Sequence, residues 1–266
     1  MPLVAPEFHP DSSLVAEVKP SPNHGERKNG ANIDMLVLHY TGMQDAAAAI
    51  KHLCHPGTDV SAHYVVLEDG HIVQCVPEAR RAWHAGQASW NGETDINSCS
   101  IGIEIANPGH DYGYPDFPRR QIAAVTALCR SILTRHRIRP DRVLGHSDVS
   151  PTRKRDPGEK FPWYILQRSG IGLWVTPAPL TPNGPLHVLG EVSPMISESQ
   201  ALLARYGYSV GSPSYMDGAT RDAVAAFQRH FRPQRVDGVL DTSTLKTLKE
   251  LLAARERAEP APPVVT

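Results

Sequence analysis

This 266-residue chain contains two histidines and an aspartate whose side chains are of the types that could together hold a metal ion. His39 closes a short apolar run, His146 follows a second one, and Asp156 lies in the loop beyond it. A zinc hydrolase takes three ligands of these types and leaves a fourth position open for water. Singly, a histidine at a strand end is commonly structural, and an aspartate before a proline commonly forms a turn. Because more than a hundred residues separate the two histidines, spacing alone does not join the three.

The elements that must position these residues follow from the apolar patterning. Short apolar runs predict buried strands, at 33–38, 63–67, 71–76, 100–105 and 143–144. The second and third runs flank Glu-Asp-Gly, which predicts a hairpin. An Ala-rich segment and an apolar stripe predict helices, at 45–54 and 119–136. Strands and helices therefore alternate, which predicts an α/β fold with a mixed central sheet flanked by helices.

Proline marks the boundaries between the predicted segments. The chain has 24 prolines, a share well above the usual one, and they gather at both ends and in one internal stretch. Proline favours extended backbone, so such stretches behave as arms and linkers. We predict an N-terminal arm over 1–30, followed by an α/β domain over 31–174. A Pro-rich linker over 175–194 then leads to a bundle of three helices over 195–253 and a disordered tail over 254–266.

Charge and hydropathy limit the partners and the location. The chain has 27 Lys and Arg against 28 Asp and Glu, which argues against a nucleic-acid partner. It has no run of about 18 apolar residues and no secretory signal at its start. We therefore expect a cytoplasmic monomer, or a periplasmic one if an export signal is missing from this sequence. The four cysteines are scattered and predict free thiols: Cys54, Cys75, Cys99 and Cys129.

Several segments, matched in one order, carry a resemblance to a known family. They are 36–41, 60–64, 81–86, 97–104 and 145–163. From about residue 33 to residue 174 the chain resembles the type 2 N-acetylmuramoyl-L-alanine amidases, zinc enzymes related to bacteriophage amidase lysozymes and peptidoglycan recognition proteins. The resemblance implies their α/β fold, one zinc ion per chain, and hydrolysis of the amide between N-acetylmuramic acid and L-alanine in muropeptides or peptidoglycan.

The resemblance also implies roles for five residues. His39, His146 and Asp156 would be the zinc ligands, Glu104 would face the zinc-bound water, and Lys154 would be its partner. Zinc lowers the pKa of its water to about 7. A carboxylate can then carry the water proton to the leaving amine, and an ammonium can stabilise the oxyanion. The alternative for Glu104 is a solvent-facing residue, but strand alternation separates it from its apolar neighbours, which suits the floor of a site.

The residues at two positions distinguish this chain from the bacteriophage branch of the family that it resembles. That branch has a tyrosine where this chain has Ala62, and it has no acidic residue at the position of Glu104. The chain therefore resembles the branch that uses glutamate, which acts on anhydro-muropeptides or intact cell wall. The alternative function is a catalytically inactive muropeptide-binding or sensing protein, which the complete ligand set disfavours.

Five further residues are candidates for contacts with substrate. We expect His63, Trp83 and His84 to line the groove, where Trp83 either stacks on a sugar or packs as core. Arg81 and Arg155 would meet stem-peptide carboxylates, because a guanidinium fork suits a carboxylate. The alternative for both is an ordinary surface charge. We expect the remaining histidines to be structural or solvated, among them His110 and His230.

Residues 195–253 resemble the three-helix peptidoglycan-binding module. The matching residues include Gln200, Tyr206, Asp217, Phe227 and Gly238. Such a module would hold substrate and raise its effective concentration at the wall. The alternative is a structural bundle docked on the amidase. A cytoplasmic enzyme has no polymer to hold, which favours that alternative, whereas a holding module favours polymeric wall as the substrate.

Overall fold

Within residues 7–182 and 184–258, which the computed structural model describes, the chain forms ten strands and eight α-helices. The strands are β1 (Glu17–Val18), β2 (His24–Gly25), β3 (Met35–Tyr40), β4 (Tyr64–Val66), β5 (Ile72–Gln74), β6 (Arg81–Ala82), β7 (Ser100–Ile105), β8 (Val143–Gly145), β9 (Leu186–His187) and β10 (Leu240–Asp241). The helices are α1 (Ala46–Leu53), α2 (Ile96–Cys99), α3 (Arg119–Arg135), α4 (His146–Val149), α5 (Trp163–Arg168), α6 (Pro194–Tyr206), α7 (Gly218–Phe231) and α8 (Thr242–Ala258).

Six strands build one central sheet in the order β1-β5-β4-β7-β3-β8. Neighbours run parallel except β4 and β5, which form the predicted hairpin. The predicted mixed sheet flanked by helices is therefore confirmed. The sheet is mostly parallel, so the carboxyl ends of β3, β7 and β8 lie along one edge, where ligands commonly bind in such folds.

The two central strands bury different residues on their two faces. Leu36 and Leu38 of β3 pack in one apolar cluster with Ile103 of β7 and with α3, whereas Met35 and Val37 belong to another cluster. The predicted strand at 33–38 begins two residues later, at Met35, and runs to Tyr40. His39 therefore lies inside the strand and shares a face with Met35 and Val37.

The C-terminal bundle consists of α6, α7 and α8. Ser193 and Asp217 cap α6 and α7 with their side chains, because each accepts a hydrogen bond from a backbone N–H of the first turn. The tail predicted from residue 254 is wrong over its first part, since α8 continues to Ala258 and buries Leu251 and Leu252. The rest of that tail, 259–266, lies outside the described residues.

The segments predicted as linker and arm are both held by hydrogen bonds. In the linker, β9 pairs with β10, and the backbone N–H of Ala178 donates to Thr247 Oγ1 at 3.0 Å. In the arm, β1 adds to the sheet beside β5, and β2 pairs with β6. The first six residues of the predicted arm lie outside the described part of the chain.

Two further features of the described residues are the hydropathy of the helices and the state of the cysteines. None of the helices among them is long and apolar enough to cross a membrane. The four cysteines are free, as predicted, and three of them are buried.

Candidate metal centre and active site

His39, His146 and Asp156 meet at the carboxyl edge of the sheet. His39 lies near the end of β3, and His146 begins α4 directly after the neighbouring strand β8. The Nδ1 atoms of the two histidines are 2.9 Å apart, and Asp156 Oδ2 lies 3.1 Å and 3.0 Å from them. All three side chains are buried. The backbone N–H of Ser147 donates to the Asp156 carbonyl at 2.9 Å, which ties the aspartate loop to α4.

A backbone carbonyl fixes the tautomer of His146. The Nε2 atom of this residue lies 3.0 Å from the carbonyl oxygen of Ala85. A carbonyl only accepts, so Nε2 carries the hydrogen and Nδ1 presents a lone pair to the centre. The second nitrogen of a metal-binding imidazole is commonly held in this way.

A chain of side chains fixes the tautomer of His39. Its Nε2 lies 3.0 Å from His84 Nδ1, and His84 Nε2 lies 3.1 Å from Ser100 Oγ. The Ser100 hydroxyl donates to the Ile96 carbonyl at 2.5 Å, so Ser100 accepts from His84. His84 Nδ1 therefore has no hydrogen and accepts from His39 Nε2–H. The Nδ1 of His39 is then left without a hydrogen on the side of the centre.

The donor set fits a divalent metal ion. Two imidazole lone pairs and a carboxylate oxygen face one another with no hydrogen between them, an arrangement that a cation would stabilise. Burial, followed by the charge of His146, lowers the pKa of His39 to about 4, which keeps its imidazole in the neutral form that binds metals. Burial raises the pKa of Asp156, but His146 and His39 overcome it and hold that pKa below its usual range.

Glu104 and Lys154 lie beside this donor set. Both line a cavity of about 310 Å³ that also reaches His146 and Asp156. Glu104 is aligned with His39 in the β3–β7 register, and one of its carboxyl oxygens, Oε2, is buried and has no hydrogen-bond partner among the described residues. Burial, then the nearby Asp156, raises the pKa of Glu104, and Lys154 opposes that shift. A carboxyl with a raised pKa suits proton transfer near neutral pH.

Two of the predicted substrate contacts line the cavity. Trp83 and His84 follow β6 and form part of its wall, together with Tyr40 and Met43. His84 lies so close to β7 that a Cβ on Gly102 would stand 2.4 Å from its ring. A glycine at that position is therefore what lets His84 reach His39.

The other three predicted contacts lie outside the cavity lining. His63 is completely buried, and its Nδ1 accepts a hydrogen bond from Gly102 N–H, so it supports the sheet instead of lining a groove. Arg81 donates to Asp95 at 2.6 Å. The Arg155 guanidinium pairs with Asp111 at 2.5 Å. The acidic partners of both arginines come from other segments, which local sequence does not reveal.

Asp148 on α4 supports the site in addition to the residues predicted from the sequence. Its Oδ2 accepts from the Gly145 N–H at 2.7 Å and so holds the first turn of the helix that begins at His146. An acidic residue three positions after a helix N-cap is a known capping pattern, and that spacing was the available signal.

Comparison with family models supports two regions of similarity. Residues 29–159 match the model described as N-acetylmuramoyl-L-alanine amidase. Residues 193–248 match the model of a peptidoglycan binding domain.

Curated relatives extend the likeness along the chain. The N-acetylmuramoyl-L-alanine amidase AmiD of Escherichia coli is 37% identical over 233 residues, which are 83% of this chain and 82% of that protein. The 1,6-anhydro-N-acetylmuramyl-L-alanine amidase AmpD of Citrobacter freundii is 36% identical over 178 residues, 58% of this chain and 90% of that protein.

Solved structures of amidases are similar to this chain over most of its length. The complex of Escherichia coli AmiD with anhydro-N-acetylmuramic acid-L-Ala-D-gamma-Glu-L-Lys superposes with a TM-score of 0.70 at 33% identity, covering 88% of this chain and 98% of that one. AmpDh3 of Pseudomonas aeruginosa superposes with a TM-score of 0.67 at 32% identity, covering 88% and 95%. With the donor set intact and similarity over most of both chains, the protein belongs to the N-acetylmuramoyl-L-alanine amidase family.

Proposed function

We propose that this chain is a zinc-dependent hydrolase of the amide bond between N-acetylmuramic acid and L-alanine. The observation that carries the proposal is the convergence of the buried donor atoms of His39, His146 and Asp156 beside the unpartnered carboxyl oxygen of Glu104. His39, His146 and Asp156 would hold the ion. Zinc, when bound by three such ligands, acts as a Lewis acid that makes a water nucleophilic at neutral pH.

Glu104 is the proposed general base and acid. Its carboxylate accepts a proton from the attacking water, and the resulting carboxylic acid donates that proton to the amine of the departing L-alanine. Burial, then the nearby Asp156, raises the pKa of Glu104, which makes its protonated form easier to reach than that of an exposed carboxyl. Its place in β7, aligned with His39, keeps the carboxyl on a rigid element.

Lys154 is the proposed stabiliser of the developing oxyanion. Its side chain lines the same cavity as Glu104 and Asp156. An ammonium in a partly desolvated site favours negative charge on the carbonyl oxygen under attack more than it favours the neutral amide. Trp83, in the wall of the cavity, offers a flat surface for the sugar.

Soluble anhydro-muropeptides are the proposed substrate class. Two structures of related amidases hold such molecules: AmiD with an anhydro-N-acetylmuramic acid tripeptide and AmpDh3 with an anhydromuramic pentapeptide. The C-terminal bundle, which resembles a peptidoglycan-binding module, supports polymeric wall as the second candidate.

Assays of the 266-residue chain on both substrates test these proposals. We expect release of the stem peptide from a soluble anhydro-muropeptide, loss of turnover with a chelator, and recovery when zinc is returned. Faster release from insoluble peptidoglycan would overturn the proposed substrate class. Muropeptide binding without turnover by the zinc-loaded protein would instead support the inactive binding protein. Cell fractionation and sedimentation test the predicted cytoplasmic location and monomeric state.

A further inference from the structure

The C-terminal bundle shares one apolar interior with the amidase domain. Trp90 of the amidase domain is 1% exposed and lies edge-on to Tyr206 and Tyr208, with ring centroids 5.6 Å and 4.9 Å away. A Cβ on Gly207 would stand 2.5 Å from the Trp90 ring, so a side chain there would separate the two domains. The backbone N–H of Asn91 donates to the Gly207 carbonyl at 2.8 Å. Contacts of this kind are typical of a protein interior and not of a tethered module.

Two bundle residues donate hydrogen bonds to Asp148 of α4. The Tyr208 hydroxyl lies 2.5 Å from Asp148 Oδ1, and His230 Nδ1 lies 2.6 Å from Oδ2. The same Oδ2 accepts from Gly145 N–H at 2.7 Å. All three side chains are at most 3% exposed. A buried carboxylate needs such donors, so its position follows theirs.

The orientation of His230 is fixed by stacking on both sides. Its ring lies 3.7 Å from that of Trp163 and 3.7 Å from that of Phe231, nearly parallel to each. Trp163 starts α5, directly after the loop that carries Asp156. His230 therefore contacts residues next to two of the predicted metal donors: Asp148 lies on the helix that begins at His146, and Trp163 follows the loop that carries Asp156.

We propose that the C-terminal bundle positions the metal centre of this enzyme: Tyr208 and His230 hold Asp148, and Asp148 holds the helix that presents His146. In this chain the bundle thus acts on the amidase site itself, in addition to any contact it makes with substrate. Tyr208, His230 and Asp148 are positioning residues, since they act through His146. The inference rests on the proposed metal site.

The metal affinity of the 266-residue chain, measured by competition with a chromophoric zinc chelator, tests this proposal. We expect Tyr208→Phe to weaken zinc binding several-fold, less than loss of a direct partner of a ligand would, because Asp148 loses one of its donors and holds α4 less firmly. Tyr206→Phe is the matched control, because its ring packs on the same Trp90 but the hydrogen bond to Asp148 comes from Tyr208; we expect a change of less than about twofold.

His230 gives a second, independent comparison. His230→Leu and His230→Asn both lose the stacked ring, but asparagine keeps an N–H donor near the position of Nδ1. We expect the asparagine variant to bind zinc several-fold more tightly than the leucine variant, at similar unfolding temperatures. The inference would be overturned if Tyr208→Phe bound zinc as tightly as Tyr206→Phe, and His230→Leu as tightly as His230→Asn. That result would leave the proposed function intact. Absence of zinc binding by the unaltered protein would instead overturn the proposed function and the inference together.

Discussion

The Nε2 atom of His39 lies 3.0 Å from the Nδ1 atom of His84, although neither sequence pattern nor family motif pairs them. Because His84 accepts this hydrogen bond, the other nitrogen of His39 is directed, without a hydrogen, at His146 and Asp156. His84 also lines the cavity. One side chain therefore combines the predicted place in the groove with control of a metal ligand.

Replacement of His84 separates those two roles. We expect His84→Leu to weaken zinc binding about 10- to 100-fold, because His39 loses its acceptor. His84→Asn keeps an oxygen that can accept from His39 and should recover part of that affinity. Zinc titration of both variants checks this. If His84→Leu bound zinc normally and only KM rose, His84 would be a groove residue alone.

Replacement of the donor residues should empty the metal site. We expect one zinc per chain in the unaltered protein and almost none in His39→Ala or Asp156→Ala, measured by elemental analysis after gel filtration. Because zinc binds the folded state, a thousandfold excess over its dissociation constant adds about 4 kcal/mol of stability, and chelation should lower the unfolding temperature accordingly. His71→Ala, at an exposed histidine of the β4–β5 hairpin, is the control and should retain zinc. A full zinc complement in His39→Ala would refute the assigned donor set.

Replacement of Glu104 should abolish turnover while zinc stays bound. Glu104→Gln keeps the size of the side chain but cannot carry the proton, so we expect kcat to fall about 10²- to 10⁴-fold. Steady-state kinetics and zinc content measured on the same preparation check this. Glu68→Gln, at the exposed hairpin turn, should leave both unchanged. Near-normal kcat in the Glu104 variant would assign proton transfer to another group.

Glu78 should make the stability of the protein sensitive to acid. Burial raises the pKa of this carboxyl, but hydrogen bonds from Arg135, Tyr64 and His136 outweigh burial and lower it. A lowered folded-state pKa gives stability that is present above the unfolded value of about 4.3 and is lost as the pH falls through the folded value.

The Glu78→Gln variant tests that pH dependence. We expect it to lose roughly 1 to 2 kcal/mol of unfolding free energy at pH 7, because the charge-assisted hydrogen bonds from Arg135 and His136 to the buried carboxylate become neutral ones, while the exposed Arg135 stays solvated. The difference from the unaltered protein should shrink below about pH 4, as Glu78 becomes protonated. Urea unfolding at pH 7 and below pH 4 measures this difference in unfolding free energy. Glu17→Gln, at a half-exposed glutamate, is the control. A difference that does not depend on pH would show that the carboxylate charge is not the cause.

Local chemistry made some of this fold predictable from sequence. The Asp-Gly turn specified the β4–β5 hairpin, and alternation placed Glu104 opposite Ile103 and Ile105. The donor set needed the family resemblance, because His39 and His146 become neighbours only through the pairing of β3 with β8.

Other features depend on contacts between distant segments. Arg81 and Arg155 resembled carboxylate binders, but each meets an acidic residue from elsewhere in the chain, Asp95 or Asp111. The contact of His84 with His39 requires Gly102 beneath it. The end of α8, beyond Leu252, contains no buried residue, so apolar spacing does not mark it as helix, and the tail predicted from residue 254 begins too early.

The N-terminal arm has a consequence for how this enzyme can be shortened. The family match begins at residue 29, after β1 has covered the outer edge of β5 and after the Arg27 guanidinium has donated to the Glu78 and Ser98 carbonyls. A protein begun there would leave the backbone groups of a sheet edge free to pair with another molecule. We therefore expect a chain trimmed to the family boundary to lose solubility before it loses its catalytic groups.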